Sequence, residues 1–121
     1  MKVLVVEDEP LIRLGMVSLV EEWGYVTLEA GDADEAIRII EREGDVGVVI
    51  TDVDMPGSMD GIKLAHFVRR QWPPIQLIVI SGKIGADSVL LPEGARFFSK
   101  PCREDVLLSA IRELSTGGAR P

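Results

Sequence analysis

The sequence predicts an α/β domain in which a doubly wound parallel sheet of five strands carries helices on both faces. Short β-branched apolar runs at 2–6, 47–52 and 75–80 alternate with stretches whose apolar residues recur at helical spacing. Such alternation implies right-handed crossovers and a covered sheet. The strongest breakers, Gly24, Gly44 and Pro73-Pro74, fall between these segments.

Residues 2–6 (KVLVV) form the first strand and end in the acidic loop Glu7-Asp8-Glu9-Pro10. Pro10 suits the first turn of a helix, whose inner face is read as Ile12, Met16, Leu19, Val20 and Trp23, with Gly24 as its stop. Tyr25 to Glu29 alternates as a second strand. Asp32 followed by Glu35 resembles a capping box, opening a helix with Ala33, Ala36, Ile37 and Ile40 inside and Gly44 at its end. The third strand closes on Asp52. A loop with Pro56, Gly57 and Asp60 leads to a third helix burying Ile62, Ala65, Phe67 and Val68.

Pro73-Pro74 ends that helix, and Ile75 to Ile80 is a fourth strand stopping at Ser81-Gly82. Residues 83–94 hold two glycines and Pro92, leaving room for only a short or irregular fourth helix. Ala95 to Ser99 is a brief fifth strand before Lys100-Pro101. The last helix has Val106, Leu107, Ala110, Ile111 and Leu114 inside. Residues 1–116 are read as one domain and 117–121 as a flexible tail.

With 121 residues, 46% hydrophobic and 27% charged, the chain suits one domain with a real core. Its formal charge of −7 disfavours direct nucleic-acid binding and anionic membrane surfaces. Met1 runs straight into Val3–Val6 with no signal-peptide pattern or membrane span, so a cytoplasmic protein is expected. One cysteine, Cys102, and one histidine, His66, exclude an internal disulfide, a multi-cysteine metal site and a site needing two imidazoles. Cys102 reads as an inert thiol, His66 as solvated, and Trp23 and Trp72 as core edges.

In a parallel sheet every strand's carboxyl end lies on one edge, where ligands bind. The first strand brings Glu7 and Asp8 there, the third Asp52, the fourth Ser81 and the fifth Lys100. Three crowded carboxylates resist joint ionisation, and a hard divalent cation such as Mg2+ resolves the conflict. It would also screen Asp52 from an anionic phosphoryl group and leave that carboxylate usable as a nucleophile. Lys100 supplies a point charge and Ser81 a hydroxyl donor for phosphoryl oxygens.

This set resembles the receiver domain of two-component response regulators, of the single-domain type, over nearly the whole chain. The resemblance implies a flavodoxin-like sheet of order 2-1-3-4-5. It assigns the acidic pair to Glu7 and Asp8, the phosphoacceptor to Asp52, the switch hydroxyl to Ser81, the rotating aromatic to Phe97 and the lysine to Lys100. It adds the Asp54 backbone carbonyl to the Mg2+ ligands and a cis peptide at Lys100-Pro101. The implied donor is a sensor histidine kinase or phosphotransfer protein, and the implied target is an unidentified downstream protein. Glu7 stands where aspartate is commoner, Ser58 is an extra loop residue, Phe97 lacks a tyrosine's hydroxyl, and the span from Ser81 to Lys100 is short. Phosphate lifetime is expected to depend on Asp54 and Lys83.

Two other functions compete. Asp52-Val53-Asp54 after an apolar strand resembles the paired aspartates of haloacid-dehalogenase-like phosphatases. That family, however, places the pair on its first strand and a second acidic pair after the lysine, where this chain has Glu104 and Asp105 at a helix start. A phosphate-independent interaction module is the other alternative, disfavoured because the constellation is intact.

Overall fold

Five strands and four helices follow the expected order through residues 1–82 and 91–117, which the computed structural model of this chain describes. They are β1 (Lys2–Val6), α1 (Pro10–Glu22), β2 (Val26–Ala30), α2 (Ala33–Glu43), β3 (Val46–Asp52), α3 (Gly61–Gln71), β4 (Gln76–Ser81), β5 (Arg96–Ser99) and α4 (Glu104–Gly117). The sheet is parallel throughout with order β2-β1-β3-β4-β5. Of the short or irregular fourth element expected over residues 83–94, residues 83–90, Lys83 among them, lie outside the described residues, and residues 91–94 form a bend and turn with no helix. Helix α4 reaches Gly117, one residue past the boundary drawn from the sequence.

The helix ends have local causes. Glu9 caps α1 by accepting from the Leu11 amide at 3.4 Å, with Pro10 in the first turn. The Asp32 carboxylate accepts from the Glu35 amide at 2.8 Å, while Glu35 takes the Gly31 amide at 2.7 Å, one residue earlier than a standard capping box requires. Gly44 closes α2 at φ 69°, a left-handed conformation that glycine adopts without strain. Asp60 caps α3 through the Lys63 amide at 2.9 Å.

Two apolar layers sandwich the sheet. Alternate strand residues Leu4, Val6, Val49, Leu77 and Val79 meet α2 and α3, and Val3, Val48, Ile50, Ile78 and Ile80 meet α1 and α4. Each fully buried Leu or Ile contributes about 1.5–3 kcal/mol relative to exposure, so these layers fix the strand register.

The helix faces differ from expectation at named positions. In α1 the buried residues are Val17 and Val20, whereas Ile12 is 51% exposed. Leu64, with no exposure, joins Ala65 and Val68 inside α3, while Phe67 is only half-buried and packs edge-on against Trp72. Ile39 joins the inner face of α2. Val106 is exposed, leaving Leu107, Ala110 and Ile111 as the inner face of α4. Among the described residues no helix is long and apolar enough to cross a membrane.

Candidate functional site

The carboxyl ends of β1, β3, β4 and β5 meet at one edge of the sheet. Glu7 follows β1, Asp52 ends β3, Ser81 ends β4, and Lys100 follows β5. The register pairs Asp52 with Ile80 and Ser81 with Ser99, and the Lys100 amide donates to the Ser81 carbonyl at 2.7 Å. Topology therefore brings together residues as far apart as 7 and 100.

Glu7, Asp8 and Asp52 each offer a carboxylate oxygen within 4.8 Å of the others. Lys100 Nζ lies 3.1 Å from Asp52 Oδ2 and 3.9 Å from Glu7 Oε1. Asp52 is only 8% exposed, and its Oδ1 is buried with no hydrogen-bond partner among the described residues. Burial pushes the Glu7 carboxyl above its ordinary range and the Asp52 charge pushes it further, against the opposing pull of the Glu9 amide and Lys100. Among the described residues three carboxylates are grouped beside the Lys100 ammonium, and the three offer hard oxygen donors. The orphaned Oδ1 and the destabilised Glu7 anion both suit a hard divalent cation.

Ser81 is fully buried at its strand end. Phe97 is half-buried and packs on the α2–α3 layer, while its neighbour Phe98 packs on the opposite layer. Asp54 is exposed, and its carboxylate stands outside the group of three. The Lys100-Pro101 peptide is cis. Ser58 of the β3–α3 loop donates to Asp34 Oδ1 at 2.8 Å, tying the extra loop residue to α2. Beside Asp52 a cavity of about 440 Å3 opens between Ile12 and Met16 of α1 and the Lys100–Cys102 stretch.

Two residues that shape the site escaped the sequence reading. Arg13 of α1 donates from Nη1 to the Glu7 carbonyl at 2.8 Å and from Nε to Glu29 Oε1 at 2.9 Å. The available signal was a cation near a helix N-terminus, where the dipole disfavours it. Gly61 lets α3 approach the Asp52 backbone, with its amide donating to the Val53 carbonyl at 2.9 Å. The Asp60-Gly61 step was visible, but its contact with Asp52 was not.

The chain is a parallel doubly wound α/β domain with carboxylates and a lysine gathered at its strand ends, and the comparisons specify the family. The response regulator receiver domain profile matches residues 3–112, and the chain belongs to that family. It is 37% identical over 116 residues to the sensor kinase CckA of Brucella abortus (strain 2308), covering 93% of this chain and 12% of that protein. A receiver domain protein (CheY-like) from Methanospirillum hungatei JF-1 superposes with a TM-score of 0.86 at 28% identity, covering 94% of this chain and 93% of that one. The response regulator TrrA of Thermotoga maritima, solved with Mg2+-BeF, gives 0.80 at 27% identity over 94% and 99% of the two chains. The chain spans between 12% and 57% of the length of the curated relatives it matches. It is a signalling module of phosphorelay systems.

Proposed function

We propose that Asp52 is the phosphoacceptor of this receiver, with a sensor histidine kinase or phosphotransfer protein as donor and Mg2+ as the required cation. The observation that carries the reading is Asp52 itself. One carboxylate oxygen is held by Lys100 at 3.1 Å, and the other is buried without a hydrogen-bond partner among the described residues, beside two further carboxylates. An oxygen attacks the donor phosphorus, a P–O bond forms, and the P–N bond to the donor histidine breaks with its electron pair returning to the imidazole. Lys100 balances charge on the phosphoryl oxygens, and the Ser81 hydroxyl donates to one of them. Glu7, Asp8, Asp52 and the Asp54 backbone carbonyl would hold Mg2+, which when bound offsets the negative charge that the acidic cluster presents to a phosphoryl group.

Drawing Ser81 toward the phosphoryl group and letting Phe97 follow shifts a pre-existing equilibrium that a downstream protein reads. The same residues assist dephosphorylation, with Asp54 guiding water. The net charge of −7 favours a protein target over nucleic acid. Intact mass after incubation with acetyl phosphate tests the reading. A single phosphoryl adduct that requires Mg2+ and is lost in Asp52→Asn is expected; an adduct that survives in Asp52→Asn overturns it.

A further inference from the structure

We propose that Arg13 is a positioning residue for the acidic site, setting cation affinity without touching the cation; the inference rests on the Mg2+ reading above. Its guanidinium spans two elements, donating to the Glu7 carbonyl at 2.8 Å and to the Glu29 carboxylate of β2 at 2.9 Å. The Arg13 amide also donates to the Glu9 carbonyl at 2.9 Å. The backbone that presents Glu7 and Asp8 is thus held from the helix on one side and from β2 on the other. Glu7 completes the loop by accepting the Glu9 amide on Oε2 at 3.0 Å. Gly31 leaves room for this path, since a Cβ there would stand 3.2 Å from Arg13 Nη1.

An arginine suits this task where a lysine does not, because the planar fork serves two acceptors in fixed directions. Its charge alone would act the other way. A cation near three carboxylates lowers their affinity for a second cation, so a merely electrostatic Arg13 weakens Mg2+ binding and its removal strengthens it. A positioning Arg13 strengthens binding, because loss of groups that orient metal ligands costs roughly 10–100-fold in affinity. The two roles predict opposite signs.

The test is calorimetric titration of the full chain with Mg2+, for wild type, Arg13→Ala, Arg13→Lys and Glu29→Ala, alongside amide exchange at Glu9 measured by NMR without metal. Dissociation constants about tenfold or more weaker are expected for Arg13→Ala, nearly as weak for Arg13→Lys, and intermediate for Glu29→Ala. Glu9 exchange should rise in the same order. Tighter or unchanged Mg2+ binding in Arg13→Ala, or wild-type behaviour of Arg13→Lys, overturns the proposal. If Arg13→Ala does not fold, Glu29→Ala decides, because Glu29 is half-exposed and its loss releases the same clamp. A wild-type chain that takes up no Mg2+ defeats the functional reading, and unchanged Glu9 exchange then separately defeats the role of Arg13.

Discussion

Substituting Gly61 with alanine tests how tightly α3 is set against the acceptor strand. A Cβ at Gly61 would stand 2.0 Å from the Asp52 carbonyl oxygen, 2.8 Å from its carbonyl carbon and 2.9 Å from Val53 Cα. All three are backbone atoms, so no side chain can swing aside. Restoring ordinary contact at 3.4 Å from 2.0 Å requires the helix start and strand end to part by about 1.4 Å, and overpacking of this kind costs roughly 1–3 kcal/mol. Losing the Gly61 amide bond to Val53 adds about 1 kcal/mol, while alanine's helix propensity returns at most about 1 kcal/mol. With the last two nearly cancelling, the net expectation is a loss of about 1–3 kcal/mol, read as a lower urea midpoint by tryptophan fluorescence. Gly15 of α1, with open space where its Cβ would go, is the control. Gly15→Ala should raise stability by roughly 0.5–1 kcal/mol. In Gly61→Ala the displaced Asp52 should also slow acetyl-phosphate labelling on the order of a hundredfold. A Gly61→Ala protein that matches Gly15→Ala in both measurements refutes the reasoning.

Other outcomes follow from the same geometry. Asp32→Ala removes the α2 cap and should cost about 1 kcal/mol in chemical denaturation; Asp32→Asn, which keeps an acceptor, should cost much less. Mg2+ at ten times its dissociation constant should stabilise the chain by about 1.4 kcal/mol. That gain should vanish with chelator and shrink in Asp52→Asn, and a melting curve indifferent to Mg2+ would count against the acidic site. Burial raises the Cys102 thiol pKa and Asp105 raises it further, so the thiolate fraction near neutral pH is reduced. Alkylation of Cys102 by iodoacetamide should therefore be slower than that of an exposed peptide thiol and should accelerate into the alkaline range. Equal rates at neutral pH would contradict this.

The strand ends were legible because each chemical residue sits where an apolar run stops. Asp52 after VVIT, Ser81 after LIVI and Lys100 after RFFS share an edge once the strands are known to be parallel. The ends of α2 were equally legible, since Asp32 and Gly44 act on backbone groups within a few residues of themselves, whereas Asp60, read only as a loop residue, caps α3. Helix faces were less so. Ile12 matched the apolar period of α1 but lines the cavity beside Asp52, so Val17 takes the buried place. The Arg13–Glu29 pair was missed because Glu29 lies 16 residues on, in another element, and the Arg13–Glu7 and Gly61–Asp52 contacts because the partners there are backbone atoms. A contact with a backbone atom leaves no complementary residue type in the sequence. Phe97 and Phe98 divide between the two layers as strand alternation requires, while the switching role proposed for Phe97 comes from the family resemblance and not from alternation.

Phosphotransfer to Asp52 requires that one carboxylate among several takes the phosphoryl group. Borohydride reduces an aspartyl phosphate to homoserine, so reduction of the acetyl-phosphate-treated, Mg2+-loaded chain followed by peptide sequencing by mass spectrometry reads the acceptor directly. Homoserine is expected at position 52, with residues 7, 8 and 54 unmodified. Modification at Glu7, Asp8 or Asp54 with position 52 intact would contradict phosphotransfer to Asp52.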